Sequence, residues 1–193
     1  MNITLLLGSI REGRKSDRVA LHLHSLLKQE EDIHPTLIDL KEWPLPQYSY
    51  RWKENEQADP NLLHLAKILH GADGLIFISP EYHGSYTGVL KNALDHYWGE
   101  FAKKPIGVVS TGSGRMGGIN ASTEMQQLVL SIGAFPMPRK LIVPHVQDSF
   151  TPEGIPTHEV MAKESNKFIQ DYLWFSKALF AAKEKMNKAS LKA

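Results

Sequence analysis

The sequence predicts an α/β protein of one domain, a doubly wound three-layer sandwich with helices on both faces of a parallel sheet. Short apolar runs alternate along the chain with stretches of helical periodicity, which is the pattern of βαβ units. Two of these runs lead into loops of small polar residues and then into helices, at residues 5–16 and 79–95. The length of 193 residues suits one well-cored domain, and no repeat, linker or change of composition divides it.

Five apolar runs have the length and composition of buried parallel strands. The run G-L-I-F-I-S is the strongest of them, and the last is the shortest. The predicted strands are residues 3–7, 35–40, 74–79, 105–110 and 140–143.

Stretches with helical spacing of apolar residues separate and follow these strands. The first helix begins at the capping pair Ser16 and Asp17, and the others are predicted at residues 61–70, 87–101, 120–131 and 157–185. The lysine-rich residues 183–193 are expected to fray as a tail. Residues 41–60 hold three prolines and four aromatic residues, so we expect a long irregular loop that is functional or mobile.

Composition restricts the classes of function. The formal net charge of +1 provides no global basic field for nucleic acid. The chain has no cysteine, which excludes disulfides, thiolate catalysis and cysteine-ligated metal or iron–sulfur sites, and we identify no metal-ligand set. No apolar segment approaches a membrane span and no leader peptide is visible. We therefore expect a cytoplasmic protein that binds neither nucleic acid nor membrane.

The first strand–loop–helix junction has the composition of a phosphate site. Ser9 and Ser16 offer hydroxyl donors, and Arg11 and Arg14 bring fixed positive charge to the start of a helix. Backbone N–H groups and the helix dipole favour an anion at such a place. The alternative is a solvated basic turn that only caps the helix.

Two other phosphate-binding motifs match this junction less well. A Walker loop requires its Lys-Ser pair directly after the second glycine, and here Arg14 stands between Gly13 and Lys15. The dinucleotide fingerprint G-x-G-x-x-G is absent from the turn. The phosphate of a mononucleotide is therefore the better fit.

The loop after the third predicted strand offers a wall for a planar ligand. Tyr82 and His83 can stack on a heterocycle or hydrogen-bond to it, and Gly84 allows close approach of the backbone. Taken alone, His83 is better interpreted as a polar loop residue without a ligand. Glu81 is either an acid–base group or a structural carboxylate.

The loop after the fourth predicted strand is rich in glycine. Residues 111–118 read T-G-S-G-R-M-G-G, and their backbone N–H groups can contact a ring edge or a phosphate. The alternative is a flexible surface loop. Together the three loops indicate a pocket for a phosphorylated planar cofactor, which spacing alone does not name.

Two motifs make the chain recognisable. G-S-I-R-E-G-R at residues 8–14 and P-E-Y-H-G-S-Y-T-G-V-L-K-N-A-L-D at residues 80–95 resemble the NAD(P)H-dependent FMN reductase family. That family belongs to the flavodoxin-like superfamily and includes quinone, azo and chromate reductases. The resemblance spans the chain from its start to the helix after the glycine-rich loop.

The resemblance implies the strand order 2-1-3-4-5, with FMN at the switch point and NADPH or NADH as co-substrate. Electrons would pass through FMN to a small acceptor, which is a quinone, a flavin, an azo compound or a metal oxyanion. The cofactor supplies the chemistry, so no side chain is named as catalytic. The implied assembly is a homodimer or homotetramer, with Lys91 and Asp95 on a helix that commonly joins the interface in this family.

The resemblance also implies the cofactor-binding residues. Ser9, Arg11 and Ser16 would hold the phosphate with Arg14 near it, while residues 80–83 would border the ring system and residues 111–114 its pyrimidine edge. The full set is Ser9, Arg11, Arg14, Ser16, Pro80, Glu81, Tyr82, His83, Gly84, Thr111, Gly112, Ser113 and Gly114.

Two departures and two alternatives accompany this interpretation. His83 stands where the family usually has Asn, and Ser16 follows the arginine later than in many members. A flavodoxin-type electron carrier is the first alternative, although a net charge of +1 is unlike the acidic surface of such carriers. A flavin-binding module that serves a partner is the second. The acceptor and the choice between NADPH and NADH stay open.

Overall fold

A computed structural model of the chain, which describes residues 1–54 and 58–190 and the side chains as far as residue 186, contains one parallel sheet between two layers of helices. The strands are β1 (Asn2–Leu7), β2 (His34–Asp39), β3 (Gly74–Pro80), β4 (Pro105–Thr111), β5 (Phe135–Pro136) and β6 (Leu141–Val143). They lie in the order β2-β1-β3-β4-β5, and β6 also pairs with β4. The predicted fold class and strand order are confirmed.

The fifth predicted strand is divided into two short pieces. β5 pairs with Pro105 and Ile106, whereas β6 pairs with the later stretch from Val109 to Thr111. Only β6 corresponds to the predicted strand at residues 140–143. Pro136 ends the first piece and Pro138 lies between the two, and proline has no N–H to give to a ladder. The β5 piece is too short to leave a periodic signal.

The helices are α1 (Ser16–Lys28), α2 (Pro60–Gly71), α3 (Gly88–Asp95), α4 (Ile119–Ser131), α5 (Val146–Ser149) and α6 (Glu159–Ser190). α3 ends at Asp95 and not at residue 101. Beyond it the Glu100 carboxylate accepts from the Trp98 N–H at 2.9 Å, and such side-chain capture competes with helical hydrogen bonding. α5 was not predicted.

Two predictions involve residues outside the described ranges. α6 continues as a helix to Ser190 and residues 191–193 lie beyond the description, so fraying of residues 183–193 stays a prediction. Residues 55–57 of the predicted 41–60 loop are likewise outside the described ranges. Among the helices of the described ranges, none has the length and apolarity needed to cross a membrane.

Alternate side chains of the central strands enter two separate cores. In β1, Leu5 and Leu7 pack with α1 and α6, whereas Leu6 packs with α2, α3 and α4 on the other face. Phe77 of β3 belongs to the second core and Ile78 to the first. Both faces of the sheet are therefore covered. The carboxyl ends of β1, β3 and β4 emerge together at one edge, where open α/β sheets bind ligands.

Candidate functional site

A pocket of about 440 Å³ lies at the carboxyl ends of β1, β3 and β4. Its volume is within the range of small-molecule sites. Most of the predicted cofactor-binding residues line it, namely Ser9, Arg11, Arg14, Ser16, Pro80, Glu81, Tyr82, Thr111, Gly112 and Ser113. The three loops that the sequence singled out thus converge on one site.

Three predicted residues do not line this pocket. His83 and Gly84 form a turn beside it, and Gly114 lines an adjoining concavity together with Arg115 and Met116. Their proposed contacts with a cofactor stay predictions.

The structure adds four residues to the lining: Gly13, Lys15, Val146 and Gln147. Gly13 and Lys15 belong to the predicted phosphate loop and were not selected within it. Val146 and Gln147 come from α5, which spans only Val146–Ser149. A helix of that length leaves no periodic signal in the sequence.

The first loop presents unpaired hydrogen-bond donors to the pocket. The hydroxyls of Ser9 and Ser16 are buried and have no partner among the described residues. No side chain caps the N-terminus of α1, which begins at Ser16. Buried hydroxyls are normally hydrogen-bonded, so two orphans beside an uncapped helix start indicate a site for an anion such as phosphate.

The arginine that separates this loop from a Walker motif is engaged within the protein. Arg14 Nη1 lies 2.7 Å from Asp39 Oδ1, and Nη2 contacts Asp39 Oδ2. Nη1 also donates to the Ser9 carbonyl. Arg14 lines the pocket, but its guanidinium is directed to these partners. Arg11 and Lys15 are the other cations of the lining.

The end of β1 is in tight contact with the start of α3. A Cβ atom on Gly8 would lie 2.7 Å from Leu90 Cβ. Thr87, the N-cap of α3, donates its hydroxyl to the Gly8 carbonyl, and its own N–H donates to Ser79 Oγ at 3.0 Å. Gly8 is therefore required by packing, and this contact joins the first two loops of the site.

The second loop contains a tight two-residue turn. Tyr82 and Ser85 exchange backbone hydrogen bonds of 2.9 and 3.1 Å, and the residues between them, His83 and Gly84, have φ of 51° and 78°. Positive φ at both central positions is typical of type I′ turns, which favour Asn-Gly. The backbone thus gives a reason for Asn at this place that is independent of a flavin contact.

Glu81 serves as a helix cap. Its Oε2 atom accepts from the backbone N–H groups of Asn120 and Ala121 at 2.9 and 3.1 Å. Gly118, which precedes α4, provides no side-chain cap of its own. A carboxylate at a helix N-terminus is stabilising. This geometry favours the structural alternative for Glu81 over an acid–base role.

The glycine-rich loop is packed in place. The Gly112 N–H donates to the Val143 carbonyl at 3.0 Å, and Ser110 Oγ donates to the Gly117 carbonyl at 3.0 Å. Gly117 has φ of 58°, and a Cβ atom there would lie 2.6 Å from Ile142 Cγ2. These contacts with β6 oppose the interpretation of a flexible surface loop.

The described part of the 41–60 loop is packed on α2 and α3. The Trp43 ring stacks on His64 with centroids 4.5 Å apart. Asn92 Nδ2 donates to the Pro46 carbonyl at 2.9 Å, and Asn92 Oδ1 accepts from the Tyr48 N–H at 2.8 Å. Residues 41–54 are therefore an ordered layer beside the site, and their role in function stays a prediction.

One half-buried histidine supports the wall formed by α5. The His22 ring of α1 lies 5.2 Å from the Phe150 ring, just beyond α5, and its Nε2 atom has no partner among the described residues. Burial lowers the pKa of His22 below 6.5 because the charged imidazolium loses hydration there. A neutral ring therefore suits this contact.

Comparisons with known proteins agree with this geometry. The sequence profile described as NADPH-dependent FMN reductase matches residues 1–148. An NAD(P)H-dependent FMN reductase of Schizosaccharomyces pombe is 31% identical over 158 residues, which cover 76% of this chain and 78% of the relative. An FMN-dependent NADPH-azoreductase of Staphylococcus saprophyticus is 31% identical over 163 residues, which cover 83% and 78%.

A solved flavoenzyme structure has a similar fold. The flavoenzyme FerB, an NAD(P)H:(acceptor) oxidoreductase from Paracoccus denitrificans, superposes with a TM-score of 0.76 at 25% identity. The match covers 92% of this chain and 97% of FerB.

Proposed function

Because this chain belongs to the NADPH-dependent FMN reductase family and is an FMN-dependent NAD(P)H oxidoreductase, we propose that FMN binds in the pocket between residues 9–16, 80–82 and 111–113. The observation that carries the proposal is the pair of buried, unpartnered hydroxyls of Ser9 and Ser16 beside the uncapped start of α1. A phosphate provides the acceptor oxygens that these donors lack.

Each side of the pocket has its own task in this proposal. The Ser9 and Ser16 hydroxyls and the first N–H groups of α1 donate to phosphate oxygens, while Arg11 and Lys15 balance the charge. Pro80, Tyr82 and the backbone around Gly112 border the flat ring, with Tyr82 40% exposed at the pocket. These residues bind and orient the cofactor.

Bound FMN supplies the redox chemistry, taking electrons from NAD(P)H and delivering them to an acceptor. Glu81 is engaged by the N-terminus of α4 and we assign it no proton transfer. The protein's contribution is therefore to position the cofactor and to balance its charge.

We propose NADPH as the donor and an azo compound or a quinone as the acceptor. The azoreductase relative at 31% identity supports the azo class and NADPH. FerB, an NAD(P)H:(acceptor) oxidoreductase, supports electron transfer from NAD(P)H to an acceptor and does not distinguish the two acceptor classes. Steady-state kinetics tests both choices. The values of kcat/KM are compared for NADPH and NADH as donors, and for an azo dye, a benzoquinone and free FMN as acceptors.

We also propose a cytoplasmic homodimer or homotetramer that assembles through the α3 surface. The absence of cysteine suits a reducing compartment. Lys91 and Asp95 form an ion pair of 2.6 Å on that surface. Light scattering of the FMN-loaded protein checks the assembly, and a monomeric mass would contradict it.

The serine pair provides the direct test of the FMN site. Replacing Ser9 and Ser16 by Ala together removes two charge-assisted donors, so we expect FMN to bind at least about tenfold more weakly. The control is Ser25→Ala, which changes an exposed serine of the same helix. Quenching of flavin fluorescence on titration of the apoprotein measures both. Equal affinity in all three proteins would sink the assignment of the phosphate site.

A further inference from the structure

Asp39 does not line the pocket, but its carboxylate binds the guanidinium of Arg14, which belongs to the phosphate loop. Resting on the proposed function, we propose that Asp39 is a positioning residue for FMN binding. Through the guanidinium of Arg14 it fixes the loop so that the Ser9 and Ser16 hydroxyls face the pocket. Arg14 then acts as a brace of the loop and not as a ligand of the phosphate.

The guanidinium of Arg14 connects the carboxylate of Asp39 to the backbone of the phosphate loop. Its Nη1 atom lies 2.7 Å from Asp39 Oδ1, while Nη2 contacts Asp39 Oδ2, which gives the parallel fork of a bidentate pair. The same Nη1 atom donates to the carbonyl of Ser9. The side chains of Arg14 and Asp39 are 11% and 19% exposed, so solvent competes little for these bonds.

The position of Asp39 is set by the sheet. It is the last residue of β2 and pairs in register with Leu7, the last residue of β1. Its Oδ1 atom also accepts from the Lys41 N–H at 3.0 Å. The carboxylate is thus attached at the end of a sheet strand, and through Arg14 it ties the loop to that strand.

The loop requires such a support. Gly13 has φ of 66° with open space around it, and the Arg14 N–H donates to the Arg11 carbonyl at 3.2 Å. That long backbone hydrogen bond spans only the second half of the turn. The bond from the Arg14 guanidinium to the Ser9 carbonyl adds a second tie, because it joins the far end of the turn to its beginning.

A brace and a phosphate ligand predict opposite effects for Asp39→Asn. If Arg14 were a ligand, loss of the carboxylate would release its guanidinium and add one positive charge near the phosphate, so FMN would bind more tightly. If Arg14 is a brace, the same change loosens the loop, and the hydroxyls of Ser9 and Ser16 are no longer held facing the pocket. FMN then binds more weakly in spite of the added positive charge.

The chain offers a matched control for charge. Glu12 belongs to the same loop and pairs with Lys41 at 3.0 Å, but its side chain is 91% exposed, so solvent screens this pair. Glu12→Gln changes the net charge of the protein by the same amount as Asp39→Asn. A second variant, Arg14→Lys, keeps the positive charge and removes the fork.

The experiment titrates each apoprotein with FMN and with riboflavin, which lacks the phosphate, and follows flavin fluorescence. We expect Asp39→Asn and Arg14→Lys to weaken FMN binding at least about tenfold, with riboflavin affinity nearly unchanged. Glu12→Gln binds FMN as the wild type does. Loss confined to the phosphorylated ligand is a result that general destabilisation does not produce.

Two results would overturn the inference. Asp39→Asn that binds FMN as tightly as the wild type, or more tightly, makes Arg14 a ligand or a bystander. Equal losses for FMN and riboflavin make the pair merely structural. If Asp39→Asn does not fold, Asp39→Glu replaces it, because this variant keeps the charge and displaces the carboxylate from the guanidinium. Weaker FMN binding by Asp39→Glu supports the brace, and wild-type affinity overturns it. Wild-type protein that binds no FMN would contradict the proposed function itself, which separates that failure from the others.

Discussion

At the residue scale, the basic side chains in and after the first loop fall into two groups. Two of them form hydrogen bonds within the protein, and two line the pocket. Arg14 is paired with Asp39, and Arg18 Nη1 donates to the Phe150 carbonyl at 2.8 Å. Arg11 and Lys15 line the pocket beside the two unpartnered serine hydroxyls. A cluster of four cations in sequence thus becomes two structural links and two candidate phosphate contacts.

His22, also at the residue scale, leads to a prediction about how the stability of the fold depends on pH. Burial lowers its pKa below 6.5, so the unfolded chain binds a proton at this ring before the folded protein does. The free energy of unfolding should therefore fall as the pH drops below about 6.5. Because the ring is only half-buried, we expect this loss of stability to be small.

Urea unfolding of the wild type and His22→Gln at pH 7.5 and pH 5 measures this contribution. The variant should lose less stability than the wild type between the two pH values. His34→Gln, which changes an exposed histidine, should lose as much as the wild type. A wild type and a His22→Gln variant that lose the same amount would contradict the account of His22.

At the element scale, the site is assembled from contacts between loops and the starts of helices. Thr87 at the start of α3 bonds to Gly8 after β1, and Glu81 after β3 caps α4. The glycine-rich loop after β4 is held against β6. Each loop is fixed by an element that begins or ends beside it, so the pocket walls are set in advance of any ligand.

Glu81→Ala tests the link between the second loop and α4. The change leaves the first N–H groups of α4 without their carboxylate, and loss of such a cap costs about 1 to 2 kcal/mol. We expect that loss in urea unfolding, accompanied by weaker FMN binding because the loop that borders the ring is released. Glu124→Ala removes an exposed carboxylate of the same helix and should do neither. A stability equal to that of the Glu124→Ala control would show that the cap has no energetic role.

At the scale of the whole molecule, the sheet and its switch point could be predicted because their signals are repeated and local. Alternation of apolar runs with helical spacing indicates the βαβ order, and both faces of β1 and β3 are apolar, as a doubly covered sheet requires. The loops at the strand ends then fall on one edge by topology alone. That is why most of the selected residues line one pocket.

The features that the sequence did not predict depend on contacts between residues that are distant in the chain or on very short elements. Asp39 lies 25 residues from Arg14, and no spacing rule connects them. The cap that Glu81 provides to α4 spans 39 residues to Asn120. α5 is a single short turn, and α3 ends where Glu100 captures the Trp98 N–H. Such features are chosen by tertiary packing and leave no periodic trace.

The most direct test of the central claim is the visible absorbance of the purified, FMN-loaded protein during anaerobic addition of NADPH. The account predicts that the wild type retains one FMN per chain, that NADPH bleaches the oxidised flavin absorbance, and that an azo dye or a benzoquinone restores it. The Ser9→Ala, Ser16→Ala double variant should lose its FMN on gel filtration. A wild type that retains no FMN, or whose flavin absorbance is unchanged by both NADPH and NADH, would contradict the account.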